Sequence, residues 1–429
     1  MISMKRKDTL INAILNIARI VFGITFIFSG FVKAVDPYGF TYKIEDYLIS
    51  FQLTQLIPLA LAFAIILILL EFVLGVFILV GIYRKWTTAF AVMFMTVMTP
   101  LTLYIAIANP VKDCGCFGDA LIISNWDTFY KNIILIAFAI ILFVYRKRIR
   151  PFFSNKTKPY ILVYVVFFFL AFSFYNIIYL PVLDFRPYKV GSNIPEKMGH
   201  NMEQGDVYEN IYVYEKEGVT KEFTDENYPW EDTTWTFVEL KSNLIEEGDK
   251  PEIQDFAITA YHKNENGTFN KSDDITHEFL SKPFSLLIVS LSLNEIGDTQ
   301  WQKIQSIADY AANNSIDMRI GTSSDENVIE QLDRNMRDAN LNYASMDELT
   351  LKTIIRSNPG LLLLKEGVVQ AKWSKNRLPD VSQLNNIISS YHNNEEHLPN
   401  NKTDSKLLII CLLFAIPLLG LKWYDKKIS

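Results

Sequence analysis

Long apolar blocks dominate the first 183 residues, and one more closes the chain. They fall at residues 10–32, 56–82, 86–108, 129–145, 160–183 and 407–423. A helix that crosses a bilayer needs about 20 mostly apolar residues. Each block therefore predicts a span, the fourth and sixth being the shortest. Lys5, Arg6 and Lys7 precede the first block, as in a secretory leader. The apolar run after them is too long for one, and no small-residue cleavage site follows. The expectation is an uncleaved first span.

Lys and Arg set the orientation of short loops. Basic clusters stand at the N-terminus, at Arg84 and Lys85, at 146–158, and at Lys422, Lys426 and Lys427. The alternate loops hold only Lys33, Lys43 and Lys112. With six spans every cluster lies on one side. Both termini are then expected in the cytoplasm, with the loop around 113–119 and the region 184–404 outside. A bacterial inner (cytoplasmic) membrane is the expected location, with the polar region facing the periplasm.

Residues 184–404 change character, carrying most of the acidic residues and all five histidines. Residues 211–216 and 221–224 read as a hairpin around 217–220, and 234–240 as a further strand. From about residue 255 strands and helices alternate. Strand 284–290, helix 299–314, strand 317–321 and helix 327–336 are followed by short strands 361–364 and 368–373 and helix 379–391. The expected division is a four-helix membrane unit over 1–150, a fifth span over 151–183 and a β-rich segment over 184–254. An α/β domain over 255–392, a polar linker over 393–405 and a last span with its tail over 406–429 complete it.

Composition narrows the function. Half of the residues are hydrophobic, 21% are charged, and mean hydropathy is +0.13. That average hides a membrane part and a soluble part. The net charge of −6, with no long basic run, argues against nucleic acid as a partner. Three cysteines exclude a disulfide-rich scaffold.

The sharpest chemical signal is Asp113-Cys114-Gly115-Cys116-Phe117-Gly118-Asp119. Outside the cytoplasm thiols tend to oxidise. A disulfide across one glycine closes a very small, strained ring, and strained disulfides are the more easily reduced ones. That suits a redox carrier. A static clamp is the competing reading. Zinc wants four ligands at fixed spacing, and no histidine lies in the membrane part, so no metal is expected. Lys112 is the only local cation against Asp113 and Asp119, so no activating field is evident. Cys411, alone in the last span, reads as an apolar filler. Arg19 and Glu71 are charges within spans, where a charge normally faces a partner. They lie about 13 Å and about 16 Å from the cytoplasmic ends of their spans at 1.5 Å per residue. An Arg19–Glu71 pair locking two helices is expected.

Phe28-Ser29-Gly30-Phe31-Val32-Lys33-Ala34-Val35-Asp36-Pro37, followed by Tyr42-Lys43-Ile44, resembles the DoxX signature. With Cys114-Gly115-Cys116-Phe117-Gly118 it is similar to the MauE branch, named for methylamine utilisation, over about residues 10–150. The resemblance implies a four-helix membrane unit linked to disulfide formation or thiol supply, with Cys114 and Cys116 as the redox pair. Residues 255–392 resemble the thioredoxin-like domain fused to such units in some bacterial proteins. Pro359 stands where thioredoxins place a cis-proline. After strand 284–290, however, the chain reads Leu291-Ser292-Leu293-Asn294-Glu295 in place of Cys-x-x-Cys, and 117–410 holds no cysteine. The soluble domain cannot exchange thiols by itself.

The expected fold is an α-helical membrane bundle with an extracytoplasmic α/β thioredoxin-like domain. The expected function is a relay in which Cys114 and Cys116 pass electrons between a membrane carrier, with quinone a reasonable acceptor, and an exported thiol protein. The alternative is a non-enzymatic membrane-anchored scaffold that binds through the soluble domain, its cysteine pair static.

Overall fold

The computed structural model describes residues 2–111, 114–199, 207–225, 227–230, 232–246, 251–335, 341–392 and 403–428. The expected linker at 393–405 lies mostly outside the described residues, as do Lys112 and Asp113.

Six helices are long and apolar enough to cross a membrane. The first, α1 (Ile2–Val35), ends where Asp36 caps a helix the sequence reading missed, α2 (Pro37–Ser50). Pro37 takes the first helical position, and the Asp36 carboxylate accepts from the Gly39 amide. Both choices favour a helix start, because proline has no N–H to leave unpaired there and the carboxylate satisfies one that is. α2 is too short and too polar to span. It packs Ile44 and Leu48 on Ala60 and Ala64 of α3 (Ala60–Val80). The bundle continues with α4 (Arg84–Ala108), α5 (Asn125–Val144) and α6 (Lys158–Ile178).

α1 and α3 run antiparallel at close range. A Cβ on Gly30 would stand 2.8 Å from Phe72 Cβ, and one on Gly75 would stand 2.6 Å from the Ile27 backbone nitrogen. Helices in lipid gain little from excluding water, so small residues that admit close packing drive their association. Phe22, Phe26, Leu74, Phe94, Leu135 and Leu142 fill the centre of the bundle.

A short α7 (Ile194–Lys197) follows the bundle. β1 (Val207–Lys216), β2 (Val219–Phe223) and β3 (Thr236–Glu246) then form a separate antiparallel sheet in the order β2-β1-β3. The β1–β2 turn is two residues, Glu217 and Gly218, both at positive φ. It is tighter than the four-residue turn expected, because paired positive φ matches the twist of the strands.

The larger sheet contains β4 (Thr259–Lys263) and β5 (Phe269–Asp274), then β6 (Ser285–Ser290) after α8 (Thr276–Ser281). α9 (Asp298–Asn313), β7 (Asp317–Thr322), α10 (Glu326–Asn335), β8 (Tyr343–Ser345) and α11 (Glu348–Ile354) follow. β9 (Gly360–Lys365), β10 (Val368–Ser374) and α12 (Val381–His392) close the domain, and α13 (Thr403–Ile428) returns to the bundle. The strand order is β10-β9-β6-β7-β8-β4-β5. β6, β7 and β8 are parallel, and β9 lies antiparallel to β6. All six residues of β6 are buried, as expected of a strand covered on both faces. Tyr188 and Ile194 join Phe279 and Leu362 in the core on one face. Residues 184–199 thus pack with this larger sheet. The Asn358–Pro359 peptide is cis.

Candidate functional site

Four elements converge on the cysteine loop: the end of α1, α2, the middle of α3 and the first half of α5. Ser29 and Lys33 are one helical turn apart and point to the same side of α1. The Lys33 ammonium donates to both Glu71 oxygens at 2.9 Å. Ser29 Oγ lies 2.8 Å from Glu71 Oε2 and 2.8 Å from the Cys116 carbonyl. Ser29, Lys33 and Glu71 are all buried. A buried charge needs a partner and further hydrogen bonds, and this cluster supplies both.

The structure does not bring Arg19 and Glu71 together. Arg19 donates to the carbonyls of Ile78 and Leu79, from 2.7 to 3.1 Å, and to Arg150. It closes the C-terminal end of α3, where unpaired carbonyls favour a cation. The expected pairing assumed that both spans begin at the same depth. α1 instead starts at Ile2 and overhangs, so Arg19 meets the last turn of α3. Glu71 lies two to three turns further along and meets Lys33. Lys33, read from the sequence as a loop cation, is the buried ion-pair partner. The missed signal was Ser29 and Lys33 at helical spacing inside an otherwise apolar span.

Cys114 and Cys116 lie side by side, their sulfurs 2.6 Å apart, with Cys114 donating. Gly115 between them sits at φ +65°, which side chains other than hydrogen rarely adopt. Cys114 is buried against Ile105, Val111, Tyr47 and Leu101. The Tyr47 hydroxyl donates to its carbonyl at 3.0 Å. The two sulfurs are not equivalent. The hydrogen bond from Cys114 lowers the Cys116 thiol, burial opposes this, and Lys131 and Lys33 add to the lowering, to about 6. The same hydrogen bond and burial push Cys114 well above the usual thiol range. The activating field judged absent from the sequence comes from α1 and α5. Lys131 lies over the Phe117 ring at 4.5 Å, one residue from Cys116. Cys411 is exposed on α13.

Below the cysteines a cavity of about 130 Å³ opens inside the bundle. Cys114, Cys116, Lys33, Glu71 and Lys131 form its polar end, and Phe26, Phe94, Met95 and Met98 its apolar walls. Among the described residues no group of His, Cys, Asp or Glu could hold a metal.

Above the loop stands the soluble domain. Arg356, in the turn between α11 and β9, has a buried guanidinium. It bonds Asp36 Oδ2 at 2.8 Å and Asp119 Oδ2 at 3.3 Å and packs on the Tyr42 ring. Burial raises the Asp119 carboxyl, and Arg356 partly offsets the rise. Burial also lowers Arg356, but Asp36 and Asp119 outweigh it and hold the group charged. Two residues on, Asn358 donates to the Ser292 carbonyl at 3.2 Å and to Glu295 at 2.9 Å, and Ser290 lies 2.7 Å from its Oδ1. Asp184 joins Lys372 and Arg186 in a second buried cluster, and Arg186 donates to the Thr353 carbonyl at 3.2 Å. The soluble domain is therefore seated on the cysteine end of the bundle.

Comparison with known families finds two matches. Methylamine utilisation protein MauE matches residues 11–145, just under a third of the chain and the whole of α1 to α5 but for the first turns. A domain of unknown function, DUF8463, matches residues 208–247, the β1–β3 sheet. No curated protein and no solved structure matches the chain. The first match supports a MauE-like membrane part. With six helices long and apolar enough to cross a bilayer, it fits a multi-pass membrane protein.

Proposed function

We propose that this protein is a membrane thiol/disulfide relay whose working pair is Cys114 and Cys116. One observation carries the reading most directly. The two sulfurs are adjacent across a single glycine in the left-handed region, and Lys33 and Lys131 line the same cavity beside them. Thiol exchange needs a thiolate to attack and a second sulfur to displace, and nearby cations favour the thiolate. The match to methylamine utilisation protein MauE adds a family frame. The pair faces the periplasm of a bacterial inner membrane, on the side opposite the basic clusters, and exchanges electrons with an exported thiol protein.

The soluble domain is read as thioredoxin-like. Its support is the order β10-β9-β6-β7, with β6 and β7 parallel and the cis Asn358–Pro359 peptide ahead of β9. The segment after β6, where thioredoxins carry their cysteines, is instead tied down through Asn358, Ser292 and Glu295. Its role is to position, holding the cysteine end through Arg356.

The relay is tested by trapping. In Cys114→Ser, Cys116 keeps Lys131 and Lys33 beside it but loses its resolving partner. A mixed disulfide with an exported dithiol protein then accumulates, while Cys116→Ser traps nothing. If neither variant changes the redox state of exported proteins and deletion of 184–404 does, the pair is static and the chain is a binding scaffold.

A further inference from the structure

Where the soluble domain meets the near ends of α6 and α13, a groove of about 690 Å³ stays open. Four cations line it, Lys303, Lys372, Arg377 and Lys406, against one carboxylate, Asp380. Asp380 is already engaged, because it pairs with Lys303 at 3.2 Å. The excess of positive charge stands out in a chain whose net charge is −6. Lys372 is buried and uses two of its three donors on Asp184 and the Tyr188 carbonyl, at 2.9 and 3.2 Å. Arg377 lies over the Tyr179 ring at 4.0 Å, and Lys406 reaches the Val182 carbonyl at 3.3 Å. A second observation is independent of charge. Ser374 lines the same groove, is 2% exposed, and its hydroxyl has no hydrogen-bond partner among the described residues. A buried hydroxyl is normally paired. Ser374 stands two residues after Lys372 on β10, on the same face of the strand.

The level of the groove points to the source of its ligand. Tyr175 and Tyr179, at the last turn of α6, line it together with Trp373. Tyr and Trp gather at the boundary between lipid and water. Lys406 immediately precedes the apolar run of α13. Phe174, Ile178 and Leu407 are exposed on the same helix ends and offer acyl chains a surface. A soluble anion would use the cations but not that surface. We propose that the groove binds the phosphate headgroup of an anionic phospholipid, in the leaflet on the side of the soluble domain. Arg377 and Lys406 meet phosphate oxygens from the rim. Ser374 donates its hydroxyl, and Lys372 its third N–H, from the floor. Basic pockets beside membrane helices hold anionic headgroups in this way. The bound lipid ties α6 and α13 to the soluble domain, and the site does not depend on the relay reading.

The test uses the full chain in a neutral detergent. Phosphatidylglycerol, phosphatidylcholine or inorganic phosphate is titrated in, and hydrogen exchange of residues 373–383 is followed. The expected result is that phosphatidylglycerol slows exchange there at concentrations about tenfold below phosphatidylcholine, while inorganic phosphate does not slow it. Arg377→Gln with Lys406→Gln, both exposed in the parent, weakens the protection by phosphatidylglycerol about tenfold. Ser374→Ala weakens it as well without lowering the melting temperature, since its hydroxyl has no partner to lose. Lys282→Gln, beside the β9–β10 turn at the other end of the sheet, leaves it unchanged. No protection by phosphatidylglycerol, or equal protection by phosphatidylcholine or inorganic phosphate, overturns the lipid assignment. So does a double variant, or a Ser374→Ala protein, that binds phosphatidylglycerol as the parent does.

Discussion

At the scale of single residues, the site turns on which sulfur ionises first. Cys116 is held low, to about 6, by the hydrogen bond from Cys114 and by Lys131 and Lys33, against about 8.5 for an ordinary thiol. A lowered value means that the thiolate is present above the midpoint and lost below it. Alkylation of Cys116 by a small reagent should therefore rise with pH through about 6 and level off by pH 7. Lys131→Met moves that midpoint upward. A midpoint unmoved by the substitution would remove Lys131 from the account. The Lys33–Glu71 pair makes a second prediction. Removing one partner of a buried pair strands a charge and costs about 3–5 kcal/mol, whereas replacing both with apolar residues is often neutral. Glu71→Ala should lower thermal stability in detergent far more than the Lys33→Met, Glu71→Leu double variant does. Losses that simply add would show that the two residues are not coupled.

At the scale of elements, the short stretch 28–37 does most of the positioning. Ser29 reaches Glu71 and the Cys116 carbonyl, and Gly30 lets α3 approach. Lys33 pairs Glu71, Asp36 caps α2, and Pro37 starts it. Close packing of α1 on α3 sets the register that brings these groups together. Gly75→Leu would drive a side chain into the Ile27 backbone, and overpacking of this kind costs about 1–3 kcal/mol. The expected outcome is a lower melting temperature together with slower Cys116 alkylation, because the Lys33 and Ser29 contacts shift. A variant as stable as the parent would show that α1 and α3 can separate freely.

This element scale also shows where the sequence was legible. Apolar length alone marked all six long helices, since bilayer thickness imposes it. Strands β6, β7, β9 and β10 were visible as short apolar or alternating runs between turn residues. β4 and β5 were not, because Thr259–Lys263 and Phe269–Asp274 are largely polar and only Phe269 among them is buried. α2 was hidden because a half-polar helix of 14 residues resembles a loop when only spans are sought. The cysteine pair stood out by its spacing. Its electrostatics did not, because Lys33 and Lys131 are 83 and 15 positions away from Cys116 in the chain. The Arg19–Glu71 expectation failed for the same reason: helix overhang is a tertiary quantity.

At the scale of the whole molecule, the soluble domain is fastened over the redox end through Arg356. The guanidinium serves two carboxylates and an aromatic ring at once, a combination that lysine's point charge does not reproduce. Arg356→Ala strips the cation from Asp36, the less exposed of its two carboxylates, at a cost of about 3–5 kcal/mol for a broken buried pair, while the more open Asp119 adds little. Hydrogen exchange should quicken in α2 and around Asp119 while β6 and β9 stay protected. Unchanged exchange at α2 would mean that the domain is held elsewhere, with the Asp184, Arg186 and Lys372 cluster the next to alter.

The central claim is that Cys114 and Cys116 cycle. The most direct measurement is their redox state in membranes from growing cells. Thiols are trapped with an alkylating mass tag, and the same membranes are then titrated against a dithiol buffer. The account predicts a mixed population and a reversible midpoint within reach of that buffer. A pair found fully oxidised that resists reduction would contradict it and make the loop a structural clamp.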